Sequence, residues 1–418
     1  MPEFDVLLLG VTGITGAATL RYLSERAAEL DMTFAVGARD LEKVRRQCSS
    51  TGVAVPTLFQ VDVTDDQALA SFARRGSVLI NLVGPYSFHG DAVVTACVEA
   101  GTSYVDLTAE TQFLRRTDAR WHETASRAGV AIVQTAGFEA LPADLAVELA
   151  RDAVRPDRLV SADLQLRMLA APGAGPADGI SGGTAQSIVA ILGDVETPAL
   201  DDVAFRITDE VDAARTRIAS PNRLWPRIAA GQVIAPMVPA AFINPPVIHR
   251  SSWLHSREID QVFMPLRYRD GMRFGGFSGA RGMPALLAAE AIAAVQALVV
   301  AGGRLPYSFR RILARVVGRV LPQSGTGPTG PALDDWRWRL DLVGLSDDRR
   351  RVDVQLDADG HPGYVATARM IAELALIVAD GTGTRRVGCI TPALALGAGS
   401  AERFARAGLR FSVTPPRS

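Results

Sequence analysis

The sequence predicts an α/β chain in which a doubly wound parallel sheet is followed by an α+β domain with a mixed or antiparallel sheet. Three observations carry this reading. Short apolar runs alternate with amphipathic stretches over about the first 135 residues. Three glycines separate the first apolar run from the first amphipathic one. From residue 160 onward, apolar and polar residues alternate strictly, the period of a strand with one face in solvent.

The first apolar run is FDVLLL (4–9), and the helical pattern Ile14 to Ala28 follows it. Further strands are expected at TFAVGAR (33–39), TLFQVDV (57–63), VLINLV (78–83), SYVDLT (103–108) and VAIVQTA (130–136), with helices between them. GFEALPADLAVELAR reads as a turn and then a helix starting near Pro142. Val160, Ala162, Leu164, Leu166 and Met168 then alternate with polar residues. The same period returns at Trp336, Trp338, Leu340 and Leu342, and after the turn Ser346 to Asp348 at Val352, Val354 and Leu356, so these two runs read as a hairpin. The Gly/Pro-rich stretches 170–183 and 321–333 cannot continue a helix or a central strand and are expected as loops. YVATARMIAELALIVA (364–379) reads as an amphipathic helix packing back against a sheet. The expected division is 1–138, 139–362 and 363–418.

The chain has 418 residues, 48% of them hydrophobic and 21% charged, which is a folded composition long enough for two or three domains. A net charge of −1 without a basic block argues against nucleic acid. Lys43 is the only lysine, which reads as coding preference. Cys48, Cys97 and Cys389 lie far apart, and the five histidines are scattered. No disulfide framework or metal site is expected. Glu3 and Asp5 stand where a signal peptide carries positive charge, so a cytoplasmic protein is expected. PALLAAEAIAAVQALVVA (284–301) is almost continuously apolar but short for a membrane span and interrupted by Glu290 and Gln296. A buried or interface helix is its first reading, and contact with a membrane surface its second.

Strand, glycine triplet, helix and second strand in that order describe a Rossmann-type dinucleotide site. Gly10, Thr12, Gly13, Ile14, Thr15 and Gly16 form the phosphate loop, although the spacing is G-x-x-G-x-x-G rather than G-x-G-x-x-G. Arg39, at the end of the second strand, where NAD-preferring sites place an acid, favours NADPH. Asp62 and Val63 fall beside the adenine. Val83, Gly84 and Pro85 form a turn on the nicotinamide side. Tyr86 is the nearest candidate proton donor, with a packing role as its alternative, and His89 is a weaker candidate. Asp106, Thr108, Glu110 and Glu139 place carboxylates and a hydroxyl near the cleft, with helix capping favoured over acid–base chemistry.

GVTGITG, NLVGPY, GTSYVDLTAE, GFEALPADL, SGGT, GYVATARMIAELAL and CITPALALG together resemble the saccharopine dehydrogenase-like oxidoreductases, and within them the trans-acting enoyl reductases, from Phe4 to about Gly397. The resemblance implies an NADPH-dependent enzyme that reduces an enoyl acyl thioester in trans with a polyketide synthase in complex-lipid biosynthesis. It implies as partners an acyl chain on a carrier protein or synthase, and it implies that 363–418 returns to the first domain as helices. A peripheral membrane contact through 284–301 and a homodimer are further expectations. Where related sequences commonly read GFDSIPSDL, this chain has Glu139 for the aspartate and Ala140 and Ala143 for the serines, which points to a different acyl group. The alternatives are an oxidoreductase of an amino-acid imine, for which Arg267, Arg269 and Arg273 are the only obvious cluster, and a non-catalytic lipid-associated protein.

Overall fold

The computed structural model describes residues 2–169, 199–237, 240–259, 261–277, 282–320 and 333–417, with positions 171, 189, 193 and 194. Apart from residues 171 and 333, the two Gly/Pro-rich stretches lie outside the described residues, as does SGGT.

The first sheet is built from β1 (Phe4–Leu9), β2 (Phe34–Ala38), β3 (Thr57–Gln60), β4 (Gly76–Asn81), β5 (Ser103–Asp106) and β6 (Ala131–Val133). Between them run α1 (Ile14–Glu29), α2 (Leu41–Thr51), α3 (Asp66–Ala73), α4 (Tyr86–Ala100) and α5 (Thr111–Ala128). The strands are parallel in the order β6-β5-β4-β1-β2-β3, so the direction of winding reverses between β1 and β4. A ligand site opens at such a reversal, outside the carboxyl ends of the strands. β3, β5 and β6 are shorter at these ends than the apolar runs suggest. The residues trimmed from them, such as Val61 to Val63, leave the ladder just where the cleft begins.

The second sheet holds β7 (Leu159–Leu169), β8 (Arg227–Ala229), β9 (Gln232–Ala235), β10 (Arg267–Gly276), β11 (Arg337–Ser346), β12 (Arg351–Asp359) and β14 (Leu409–Arg417). It is mixed: β7 pairs antiparallel with β11 and parallel with β10. β11 and β12 form the expected hairpin, with Trp338, Leu340, Leu342, Val352, Val354 and Leu356 all buried on the inner face. α6 (Leu141–Ala153), which carries Pro142 in its first turn, packs on that face. The outer face carries the polar half of each strand, tied by pairs such as Arg227–Asp163 and Arg273–Asp341. α7 (Glu210–Ala219), α8 (Asn244–Glu258), α9 (Met283–Gly303) and α10 (Tyr307–Val320) complete this region.

The segment 363–418 is more than the returning helices expected of it. A π-turn (Pro362–Ala366) leads into α11 (Thr367–Asp380), which packs against α1 and across β1, β4 and β5. β13 (Gly388–Ile390) then extends the first sheet beside β6, the short α12 (Pro392–Leu396) follows, and β14 closes the edge of the second sheet. A three-residue strand is too short to show periodicity, so β13 leaves no pattern in the sequence.

Candidate cofactor and active site

The glycine loop forms because its backbone lies where side chains do not fit. Gly10 has φ +87°, and a Cβ there would lie 2.6 Å from the Leu82 carbonyl carbon. At Gly16 a Cβ would stand 2.2 Å from the Gly10 oxygen, so the first turn of α1 packs directly on the loop. Gly13, the N-cap residue, offers no side-chain cap, and the first turn of α1 contains no acid. The first helical bond runs from the Ala17 N–H to the Gly13 carbonyl, leaving the N–H groups of Ile14, Thr15 and Gly16 without an acceptor in the helix. With the helix dipole, they favour an anion here. Gln47 holds the loop from α2 through a 2.9 Å bond to the Val11 carbonyl.

These residues line a cleft of about 1010 Å³, along with every other candidate cofactor residue named from the sequence: Arg39, Asp62, Val63, Val83, Gly84 and Pro85. Arg39 is exposed at the end of β2, and Lys43 stands beside it in the cleft wall, one turn into α2. Asp62 accepts bonds from the Thr64 N–H and hydroxyl at 2.9 and 2.8 Å, which lower its pKa, and Arg39 adds to the effect. Lys43 escaped the sequence reading, although its being the sole lysine four residues after Arg39 was a usable signal.

Tyr86, which also lines the cleft, takes the packing role. Its ring lies against Phe113, its hydroxyl donates to the Asn81 carbonyl at 3.2 Å and accepts from the Leu107 N–H at 3.4 Å, and burial pushes the phenol well above its usual range. A proton held that tightly, with the oxygen aimed at backbone, makes Tyr86 a poor donor to a ligand. Glu110 is a cap: its oxygens accept from the Tyr86 N–H at 2.9 Å and the Ser87 N–H at 2.8 Å, which are the first amides of α4, and the Ser87 hydroxyl donates to it as well. Asp106 is fully buried behind the cleft, bonded by the Tyr104 hydroxyl at 2.8 Å and the Thr108 N–H at 3.0 Å. Desolvation raises its carboxyl to about 7. Thr108 donates no catalytic group to the cleft and bonds the Glu110 N–H instead.

Glu139 is different. It lines the cleft, receives a hydrogen bond from its own backbone and none from any other described residue, and is pushed above the usual carboxylate range by burial. Facing it are Gly363, Tyr364 and Thr367 of the π-turn and α11, which no local pattern in the sequence associates with the first sheet. The Thr367 hydroxyl accepts from the Phe138 N–H at 3.0 Å and donates to the Pro362 carbonyl at 2.7 Å, which fixes the turn holding Glu139. His89 also lines the cleft.

An elongated cleft with an uncapped helix N-terminus at its middle, two cations at one end and a carboxyl at the other suits a dinucleotide. The sequence profile of the saccharopine dehydrogenase NADP binding domain matches residues 6–133. A trans-acting enoyl reductase of Mycobacterium leprae is 30% identical over 434 residues, covering 99% of this chain and 98% of that protein. The chain belongs to the saccharopine dehydrogenase-like family. The M. ulcerans trans-acting enoyl reductase is 28% identical with the same coverage, and a M. tuberculosis protein provisionally given that name is 29% identical over 448 residues, again covering 99% and 98%. Among solved structures, the apo saccharopine dehydrogenase (L-glutamate forming) of Saccharomyces cerevisiae superposes with a TM-score of 0.50 at 16% identity, over 99% of each chain. The family fold is therefore shared end to end, and its first domain binds an NAD(P) nucleotide.

Proposed function

We propose that this protein is an NADPH-dependent reductase of an α,β-unsaturated acyl thioester, acting in trans on a chain borne by a carrier protein or polyketide synthase. The observation that carries the reading is the single cleft with Arg39 and Lys43 at one end and an uncommitted carboxyl, Glu139, at the other. The names of the full-length relatives supply the substrate class.

NADPH, when bound, supplies a hydride for the β-carbon of the enoyl group. This chain supplies the rest. Arg39 and Lys43 meet the 2′-phosphate through charge-assisted bonds, and the N–H groups of Ile14, Thr15 and Gly16 receive the pyrophosphate. The electron pair left on the α-carbon needs one proton. Glu139 Oε is placed to deliver it, and burial favours the protonated form of that carboxyl. Tyr364 and Thr367 wall this end of the cleft and limit its water. An imine-bearing amino acid calls for fixed cations here instead. None of Arg267, Arg269 and Arg273 lines the cleft, and the last two are paired with Asp163 and Asp341.

Incubation with NADPH and a carrier-bound 2-enoyl chain is expected to add the mass of two hydrogens to the acyl group. Glu139→Gln is expected to slow this by roughly a hundredfold or more while leaving the Kd for NADPH in place. An enoyl mass unchanged across chain lengths counts against the substrate. Equal rates for the variant count against Glu139 as the acid.

A further inference from the structure

We propose that α9 and α10 together form a docking surface for an anionic lipid membrane. The proposal is independent of the catalytic reading, because both helices lie on the second sheet's side of the molecule and none of their residues lines the cofactor cleft.

α9 is apolar apart from Glu290, which is exposed, and Gln296, and it is covered on one face only. Ala289, Ala293 and Val300 turn inward, with Ala289 against Val233 and Ala235 of β9. Met283, Leu287, Ala291, Ala294 and Leu298 recur at helical spacing on the opposite face and are exposed, Leu287 by 63% and Leu298 by 71%. Only 28% of its apolar window is buried, against 72% for the comparably apolar Pro362–Asp380. Its outer face is therefore not buried, which leaves an interface helix or contact with a membrane surface as the readings of 284–301. Gln296 turns inward and donates a 2.7 Å bond to the Met237 carbonyl, which ties α9 along the protein surface rather than through a bilayer.

α10 makes the patch specific. Ala314 and Arg310 turn inward, while Phe309, Ile312 and Val316 form an exposed apolar stripe. Arg311, Arg315 and Arg319 are exposed one helical step to its side, and the helix contains no acidic residue. An apolar stripe flanked by arginines suits acyl chains below and phosphate headgroups beside them. A second copy packed symmetrically on this face would set the arginine stripe against itself, with no carboxylate on α10 and Glu290 of α9 as the one acidic residue of the two helices to answer it.

The test uses the full chain and sedimentation with phosphatidylcholine vesicles, with and without phosphatidylglycerol. Binding is expected on the anionic vesicles, at least tenfold weaker on the neutral ones, and weaker as salt rises. Leu287→Asp with Leu298→Asp, and separately Arg311→Glu with Arg315→Glu and Arg319→Glu, are each expected to weaken binding at least tenfold while NADPH affinity stays at the wild-type value. Should a variant lose NADPH affinity through misfolding, Leu298→Cys carrying a polarity-sensitive dye decides instead: a blue shift on anionic vesicles supports the proposal, and an unchanged spectrum overturns it. Equal binding to neutral vesicles, no binding to either, or a dimer that the substitutions split without vesicle binding also overturns it.

Discussion

Lys43 is the only lysine among 44 lysine and arginine residues, and it stands beside Arg39 where a 2′-phosphate is expected. A charge-assisted bond to that phosphate contributes about 1.5–3 kcal/mol, and NADH has no phosphate to receive it. Arg39→Ala and Lys43→Ala are therefore each expected to weaken NADPH by roughly tenfold or more and NADH little, as read by fluorescence titration. Equal losses for the two nucleotides would remove both residues from the phosphate site. At this scale the sequence was legible where a residue's place follows from the order strand, turn, helix, strand: Gly10 and Gly16 fall in the loop and the first turn of α1, and Arg39 lies at the end of β2 on the cleft wall. It was silent on hydroxyl direction: nothing around Tyr86 says that its oxygen points at the Asn81 carbonyl, so the residue beside the turn looked like a donor.

Among elements, the contact between α1 and α11 decides whether the C-terminal segment reaches the cleft. Glu373 of α11 is fully buried and accepts from Tyr22 at 2.9 Å, Arg26 at 3.1 Å and Arg403 at 3.0 Å. Removing the carboxylate leaves two guanidinium groups facing each other, so Glu373→Ala is expected to lower unfolding stability by about 3 kcal/mol in denaturant titrations. A loss under half of that would mean that water solvates the cluster. Asp144 makes a second such joint, accepting from Ser251 of α8 at 2.6 Å and from the Ala393 N–H of α12 at 2.9 Å. Burial raises its carboxyl to about 6. The sign follows: a folded pKa above the unfolded value means that the folded state holds a proton the unfolded state releases, so this group favours folding at low pH. Its contribution falls by roughly 3 kcal/mol as pH rises from about 4 to 6. Asp144→Asn should flatten the fall in Tm over this window, whereas parallel curves for variant and wild type would contradict the assignment. The motif GFEALPADL marks Asp144 in the sequence, but its partners lie more than a hundred residues away and no local pattern names them.

The whole molecule is two sheets laced by one chain. β13 and β14, separated by only 18 residues, close the first and second sheets respectively, so the apolar periods that separate the two halves by eye do not separate them in space. A buried ionic joint fixes them together: Arg206 grips Asp118 of α5 at 2.7 and 3.0 Å, and Arg250 of α8 reaches Asp118 at 3.3 Å and the Cys389 carbonyl of β13 at 2.7 Å. Strand and helix alternation made β1 to β6 of the first sheet and β7, β11 and β12 of the second legible, because period is a local property. The joint was not, because it is built from three single charged residues and a backbone carbonyl drawn from four segments. Its consequence for function is that part of the cleft wall, Gly363, Tyr364 and Thr367, comes from the second half of the chain. The central claim is that this shared cleft moves a hydride from NADPH to an enoyl carbon. The most direct measurement incubates the protein with NADPH deuterated at C4 and a carrier-bound 2-enoyl thioester, and locates the label in the product by mass spectrometry and NMR. Deuterium at the β-carbon of a saturated chain is the predicted result. Tight NADPH binding with no label transferred to any enoyl chain would contradict it.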